Sequence, residues 1–340
     1  MSIKLLLIGS DYEWSVERSY LNALQEKQID SYLYAVQNFF YDYYYTSLYH
    51  KIVFRLGLST IFKKINKDLL LFVEQYAPTH IWIFKGMEVL PTTLQEWKSK
   101  GIKLINYNPD NPFIFTGSGS GNKNITNSIC WYDWYLSYDR TVVKQLQQMN
   151  IHANLFPFAI DLADDFKYPN DALSINKIAF IGNPDQERVL FLNQLADLKI
   201  PIDVYGHNWN KFSLHTGIEM YDALDKVSYQ QLVPKYKAVL NLMRIHNLDS
   251  HNMRSLELPA YGGVQLASRT KDHADFFEEG KEIFLFSDAQ EAAWQWHHIQ
   301  ELSTEDLQKG INSAQNKLRL KHSYAARIDY FFNGLEQLCL

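Results

Sequence analysis

Residues 238–268, AVLNLMRIHNLDSHNMRSLELPAYGGVQLAS, decide the fold. Ala238 to Met243 is a mostly apolar run with the length of a strand buried in a parallel sheet. After a loop, Asp249 or Ser250 caps an expected helix that runs to about Tyr261. Gly262-Gly263 supplies its left-handed stop, and Val264 to Ala267 reads as the next strand. Strand, loop, helix and strand in this order belong to an α/β sheet, where ligands meet the carboxyl ends of the strands. The loop and the helix N-terminus therefore lie where a ligand is expected.

The chemistry of that corner follows from its residue types. Unbonded N–H groups near Asn252, Met253 and Arg254 carry about half a positive charge, and Arg254 adds a full one, which suits a phosphate. Glu257 follows on the same helix; its ionised carboxylate can accept two hydrogen bonds from a vicinal diol such as that of ribose. Asp249, in the loop, places a second carboxylate for another sugar hydroxyl. Together they spell a sugar-nucleotide clamp, and the competing reading is an ordinary solvated helix acid.

Glu257-Leu-Pro-Ala-Tyr-Gly262, with an acidic residue seven positions before it at Asp249, resembles the acidic pair of retaining GT-B glycosyltransferases. N-x-R-x-x-E at Asn252, Arg254 and Glu257, with FFEEGKEIFLFSD at 276–288, is similar to the spore-maturation CgeB-like branch. The resemblance implies a GT-B fold, two Rossmann-like, doubly wound parallel-sheet α/β domains facing a central cleft. It implies a nucleoside-diphosphate-sugar donor and a carbohydrate, glycolipid or glycoprotein acceptor. It also implies that Glu257 binds the ribose and that Asp249 contacts the donor sugar. The broader family has Glu where Asp249 stands, so this side chain reaches less far.

Length and composition agree with that class. A chain of 340 residues predicts two domains, each able to bury a core. The net charge of −5, without any block of Lys and Arg, argues against nucleic acid as a partner. Cys130 and Cys339 are too few and too far apart for a disulfide framework. The opening MSIKLLLIGSDYEW has too short an apolar core for a signal peptide and reads as a first strand. No run approaches the roughly 18 apolar residues of a membrane span. The expectation is a cytoplasmic protein, soluble or peripheral at the inner face of a membrane. The 22 tyrosines fill cores or offer faces to sugars.

The first domain is expected over 1–157. Lys4 to Ile8, a turn at Gly9-Ser10-Asp11 and a helix from about Trp14 to Gln25 lack the full glycine fingerprint of a dinucleotide site. Asp11 and Glu13 sit at that strand's carboxyl edge, as acceptor contacts or as plain caps. YDYYYTSLYH at 41–50 fits no period and has three readings, an aromatic wall for acceptor sugars, a patch touching a membrane or partner, or packing under the following helix. The helix expected from about Leu56 to Tyr76 sets Lys63, Lys64 and Lys67 opposite an apolar side, a pattern that suits anionic lipid or simply water. Further strands at His80 to Phe84, Lys103 to Tyr107, Trp134 to Ser137 and Ala153 to Phe156 alternate with helices. In NPDNPF at 108–113 two prolines impose a rigid turn around Asp110 at a strand end. The CgeB-like proteins are similar there, which implies that Asp110 meets the acceptor or the donor sugar. TGSGSGNKN at 116–124 reads as a loop over the crevice, without the GK[ST] ending of a phosphate loop.

Pro157 opens a linker into a donor domain over 158–320. Ile178 to Ile181 leads into GNPDQER at 182–188, where Gly182 permits close backbone approach and Arg188 can reach a diphosphate, a role the resemblance also implies. GHNW at 206–209 sets His207 and Trp209 where the resemblance puts the nucleotide base. His322, Tyr324 and Arg327 are similar to the family's H-x-Y-x-x-R ending, which implies that 321–340 is a helix packing back toward the first domain. Neither His246 with His251 nor His297-His298 has zinc geometry, so no metal and no cofactor are expected. Arg188, Arg254 and a helix N-terminus can hold the leaving diphosphate instead. Asp110 and Asp249 are the catalytic candidates. Retention follows from the kinship, whereas inversion would need a base, with Asp110 or Asp11 in view. The rival readings are a sugar-nucleotide epimerase or hydrolase on the same architecture, and a non-catalytic sugar-nucleotide-binding protein.

Overall fold

The computed structural model describes residues 3–12, 15–115, 119–162, 167–243 and 249–336. Two compact units emerge: Met1–Pro157 with Arg327–Leu340, and Phe158–Ala326. Each is built on one sheet of six parallel strands, as the α/β expectation requires.

The first unit runs β1 (Lys4–Ile8), α1 (Val16–Glu26), β2 (Asp30–Tyr34), α2 (Val36–Thr46), α3 (Leu48–Arg55), α4 (Ile61–Tyr76), β3 (His80–Phe84), α5 (Pro91–Ser99), β4 (Lys103–Asn108), α6 (Lys123–Ser128), β5 (Trp134–Ser137), α7 (Arg140–Gln148) and β6 (Ala153–Leu155). Its strand order is β2-β1-β3-β4-β5-β6. The chain steps from β1 to one side and returns to the other, so a topological switch point opens between β1 and β3. Leu5 to Ile8 and Ile81 to Phe84 are buried on both faces, which is why these strands read as unbroken apolar runs. On α4 the helical stripe Ile61, Ile65, Leu69 and Val73 is buried against the sheet.

Much of the aromatic content is core. Tyr20 packs on Trp82 at 4.8 Å, and Phe84, Tyr107 and Phe156 extend the cluster. The unperiodic stretch 41–50 resolves into the end of α2 and the start of α3, broken at Ser47, whose extended backbone and side chain cap α3 at His50 N. The helix expected from Leu56 starts instead at Ile61, because Gly57 turns left-handed (φ 72°) and ends α3 first.

The second unit runs β7 (Ile175–Ile181), α8 (Gln186–Asp197), β8 (Ile202–Tyr205), β9 (Ile218–Tyr221), α9 (Lys226–Leu232), β10 (Tyr236–Asn241), α10 (Met253–Ala260), β11 (Gln265–Ser268), α11 (Lys271–Phe276), β12 (Phe284–Phe286), α12 (Ala289–Glu301), α13 (Thr304–Lys317) and the start of α14 (Tyr324–Glu336). The order β12-β11-β10-β7-β8-β9 puts its switch point between β7 and β10. Strand β9 escaped the sequence reading because it is an edge strand, with only Ile218 of its four residues buried and hence no alternation. From Arg327 onward α14 belongs to the first unit, where Phe331 stacks on Trp82 at 5.0 Å and Arg327 Nε donates to the Pro157 carbonyl.

Candidate functional site

The second unit's site is built where β7 ends. Gly182 N–H donates to the Tyr205 carbonyl at 2.8 Å, and its own carbonyl accepts from Trp209 Nε1 at 3.0 Å. The loop after β8 comes so near that a Cβ on Gly206 would collide with the Gly182 carbonyl. On another side, a Cβ built on Gly182 would lie 3.4 Å from Arg254 Nη2. Arg254 thus reaches from the first turn of α10 to the end of β7. Arg188, in the first turn of α8, sets its guanidinium carbon 5.4 Å from the Phe180 ring centre and donates to the Asn183 carbonyl at 2.8 Å. Two cations therefore serve one strand end at the switch point, where a sheet of this kind binds its ligand. Beside them is a pocket of about 310 Å³, with Arg188, Met243, Ser268 and Arg269 among its lining residues.

The start of α10 is bolted down. Its N-cap is Asn252, not Asp249 or Ser250: Asn252 Oδ1 accepts from Ser255 N at 3.0 Å, and Ser255 Oγ accepts from Asn252 N at 3.1 Å. Asn252 Nδ2 donates to Asn241 Oδ1 at 2.9 Å, and Asn241 Nδ2 donates to Ser255 Oγ. That leaves the Ser255 hydroxyl proton for His273 Nε2 at 2.7 Å, and His273 Nδ1–H for the Ser268 carbonyl at 2.7 Å. Burial pushes the His273 pKa down to about 4, in keeping with a neutral ring. Nearby, His251 Nε2 accepts Phe158 N–H at 3.1 Å, which leaves Nδ1–H for buried Asp272 at 2.7 Å. The strand, the loop and two helices thus fix the helix end that carries Arg254.

Glu257 lies one turn beyond Arg254, half-buried, and its Oε2 accepts from the Tyr229 hydroxyl at 3.4 Å. Burial raises its pKa, and the Arg254 charge and the Tyr229 bond act against that rise. The carboxylate is neither sealed in an apolar interior nor turned fully to water. Asp249 is exposed in the turn before α10, and His207 is exposed with its N–H on Asn183 Oδ1. Asn252 spends its side chain on the cap and on Asn241, and so positions the helix. One expectation changes. Trp209 is 2% exposed and packs edge-on against Phe180, so it is core and not a stacking platform for a base.

In the first unit a pocket of about 390 Å³ sits at the switch point between β1 and β3, with Ser10, Glu17, Gln37, Lys85 and Tyr107 among its lining. Asp110 pairs with Lys85 Nζ at 2.6 Å, and Asp11 with Arg18 at 2.6 Å. Glu13 and His246 lie outside the described residues. Sequence reasoning missed Glu17, Lys85 and Glu88. Burial raises the pKa of both Glu17 and Glu88 to about 7, against the Lys85 charge. Gly9 makes room for this: a Cβ there would lie 2.5 Å from Glu17 Oε1, which accepts Ser10 N–H. Lys85 holds a left-handed backbone (φ 62°), unusual outside glycine and concentrated at functional sites. Among the described residues no group of three metal-ligating side chains comes together, and no helix is long and apolar enough to cross a membrane.

Residues 187–333 match the family described as glycosyl transferase-like. No curated protein matches the chain. Among solved structures, sucrose-phosphate synthase from Thermosynechococcus elongatus superposes with a TM-score of 0.69 at 10% identity, covering 99% of each chain. HepE from Anabaena in complex with UDP-glucose gives 0.64 at 11% identity, over 98% of this chain and 100% of that one. The α,α-trehalose-6-phosphate synthase of Burkholderia multivorans gives 0.62 at 11% identity, over 100% and 97%. The chain has the GT-B fold, and a glycosyl transferase-like domain makes up most of its second unit.

Proposed function

We propose that this GT-B glycosyltransferase moves a sugar from a nucleoside-diphosphate donor to an acceptor hydroxyl, with the donor held by the second unit. One observation carries the reading: Arg254 lies against Gly182 at the switch point, with the carboxylate of Glu257 a single turn further along the same helix. A diphosphate needs cations and exposed N–H groups, and a ribose diol needs an acceptor pair; α10 offers them in that order. Arg188 supports the diphosphate from α8, Asp249 the donor sugar, and His207 the base. Arg188 and Arg254 supply positive charge to the leaving phosphate, so the chemistry proceeds without a bound metal.

The resemblance to CgeB-like proteins at Asn252, Arg254 and Glu257 supports that branch and, with the retaining relatives, favours retention, in which the leaving phosphate takes the acceptor proton. UDP-sugars come first as donors, since HepE is seen with UDP-glucose. The first unit serves the acceptor, a carbohydrate, glycolipid or glycoprotein, in the cytoplasm. Asp110 and Asp11 each already hold a cation. Should the anomer invert, Glu17, in the pocket and titrating at about 7, becomes the group to test as base. The experiment is release of UDP from a panel of UDP-sugars with and without glycan acceptors, with the product anomer read by NMR. Acceptor-dependent release supports transfer; a rearranged donor, or release indifferent to every acceptor, supports the epimerase or hydrolase.

A further inference from the structure

The first unit carries an apolar surface that neither pocket explains. Helices α2 and α3 pack as a hairpin beside α4, and Phe54 of α3 fills a socket of Phe40, Tyr44 and Phe62 at 4.9 to 5.6 Å between ring centres. That socket uses the inner face of α3. Its outer face is Leu48, Tyr49, Ile52 and Leu56, each between 48% and 73% exposed, and no residue of α3 is buried. Phe39 and Tyr45 of α2 and Leu58 after α3 continue the exposed surface. A helix lying on a protein in water normally turns polar residues outward; this one turns a mainly apolar stripe outward, with exposed Arg55 beside it.

The charge around it identifies the occupant. Residues 39–68 contain Lys51, Arg55, Lys63, Lys64 and Lys67 against Asp42 and Asp68, a net +3 in a chain whose total is −5. Lys63, Lys64 and Lys67 are exposed on α4, and Lys51 stands 4.7 Å over the Tyr45 ring. We propose that this face docks on an anionic membrane surface, with Leu48, Tyr49, Ile52 and Leu56 entering the headgroup boundary and the basic residues meeting lipid phosphates. Apolar area and basic charge add in such binding, and tyrosine is at home at that depth. The inference is independent of the donor site and bears on where acceptors are met.

The test is co-sedimentation of the full chain with vesicles of phosphatidylcholine, alone or mixed with phosphatidylglycerol. Binding is expected to the mixed vesicles, weakened by salt. Leu48→Ser with Ile52→Ser, and separately Lys63→Gln with Lys64→Gln, should each weaken it by about tenfold or more. Circular dichroism and UDP binding should stay unchanged, so that failure here is distinct from failure of the donor reading. Absence of binding by the parent protein overturns the proposal, as does equal binding by both variants. So does a concentration-dependent dimer that the Leu48/Ile52 variant dissolves, since the face would then belong to a second copy.

Discussion

Arg254 Nη2 lies 3.4 Å from the point where a Cβ on Gly182 would stand, an ordinary van der Waals distance. Gly182→Ala should therefore fold as well as the parent, gaining up to about 0.4–1 kcal/mol from a stiffer unfolded chain, yet bind nucleotide more weakly because the methyl fills the gap between backbone and guanidinium that the proposed diphosphate would enter. Gly206→Ala should instead unfold more readily, since its Cβ meets the Gly182 carbonyl. Thermal melts paired with UDP titrations separate the two; equal behaviour of the two variants would contradict this.

On the proposed donor site, Arg188→Ala and Arg254→Ala should each cost charged hydrogen bonds to the diphosphate, worth about 1.5–3 kcal/mol or roughly ten- to a hundredfold in affinity. UDP should lose this much and uridine far less. An equal loss for uridine would place the arginines at the base instead. Arg254→Ala should also raise the Glu257 pKa further, because its charge now opposes the effect of burial.

His273 makes the second unit acid-sensitive. Its folded pKa of about 4 lies below the unfolded 6.5, so the unfolded chain takes the proton first. Stability is complete above about 6.5 and falls as pH drops toward 4, by about 3 kcal/mol for a shift of this size. His273→Phe should flatten that slope while loosening the cap of α10; an unchanged slope in urea melts from pH 7 to 4.5 would contradict it.

In the first unit the sign reverses. Glu17 and Glu88 have folded pKa values of about 7, above the unfolded 4.5, so the folded state binds protons more tightly. Their contribution is complete below 4.5 and is lost as pH rises through 7. Glu88→Gln should reduce that loss. Hydrogen exchange, corrected for intrinsic rates, should show the first unit loosening from pH 5 to 7.5 while the second tightens; parallel behaviour would contradict the assignment.

The sheets were legible because strands such as Leu5 to Ile8 are buried on both faces and end in glycine or polar turns, leaving apolar runs that need no partner to be recognised. Arg254 and Glu257 were legible because both lie on one short helix whose spacing fixes their common face. The bolt that holds this helix was not: Asn241, Asn252, Ser255, His273 and the Ser268 carbonyl come from four separate segments, joined only by folding. Glu17 drew no reading at all, because nothing local reveals that Gly9 lets its carboxylate sink below the surface. The surface of α3 was legible only as one of three readings of 41–50, since an apolar residue does not announce whether it packs inward or stays in water.

Glu257→Ala tests the central claim most directly. A nucleotide present at a hundred times its dissociation constant stabilises the parent by about 2.7 kcal/mol, seen as a rise in melting temperature. With UDP at the same concentration, the variant should keep its circular dichroism spectrum and its melting temperature without ligand, yet lose most of that rise. An undiminished rise would show that the nucleotide is held elsewhere.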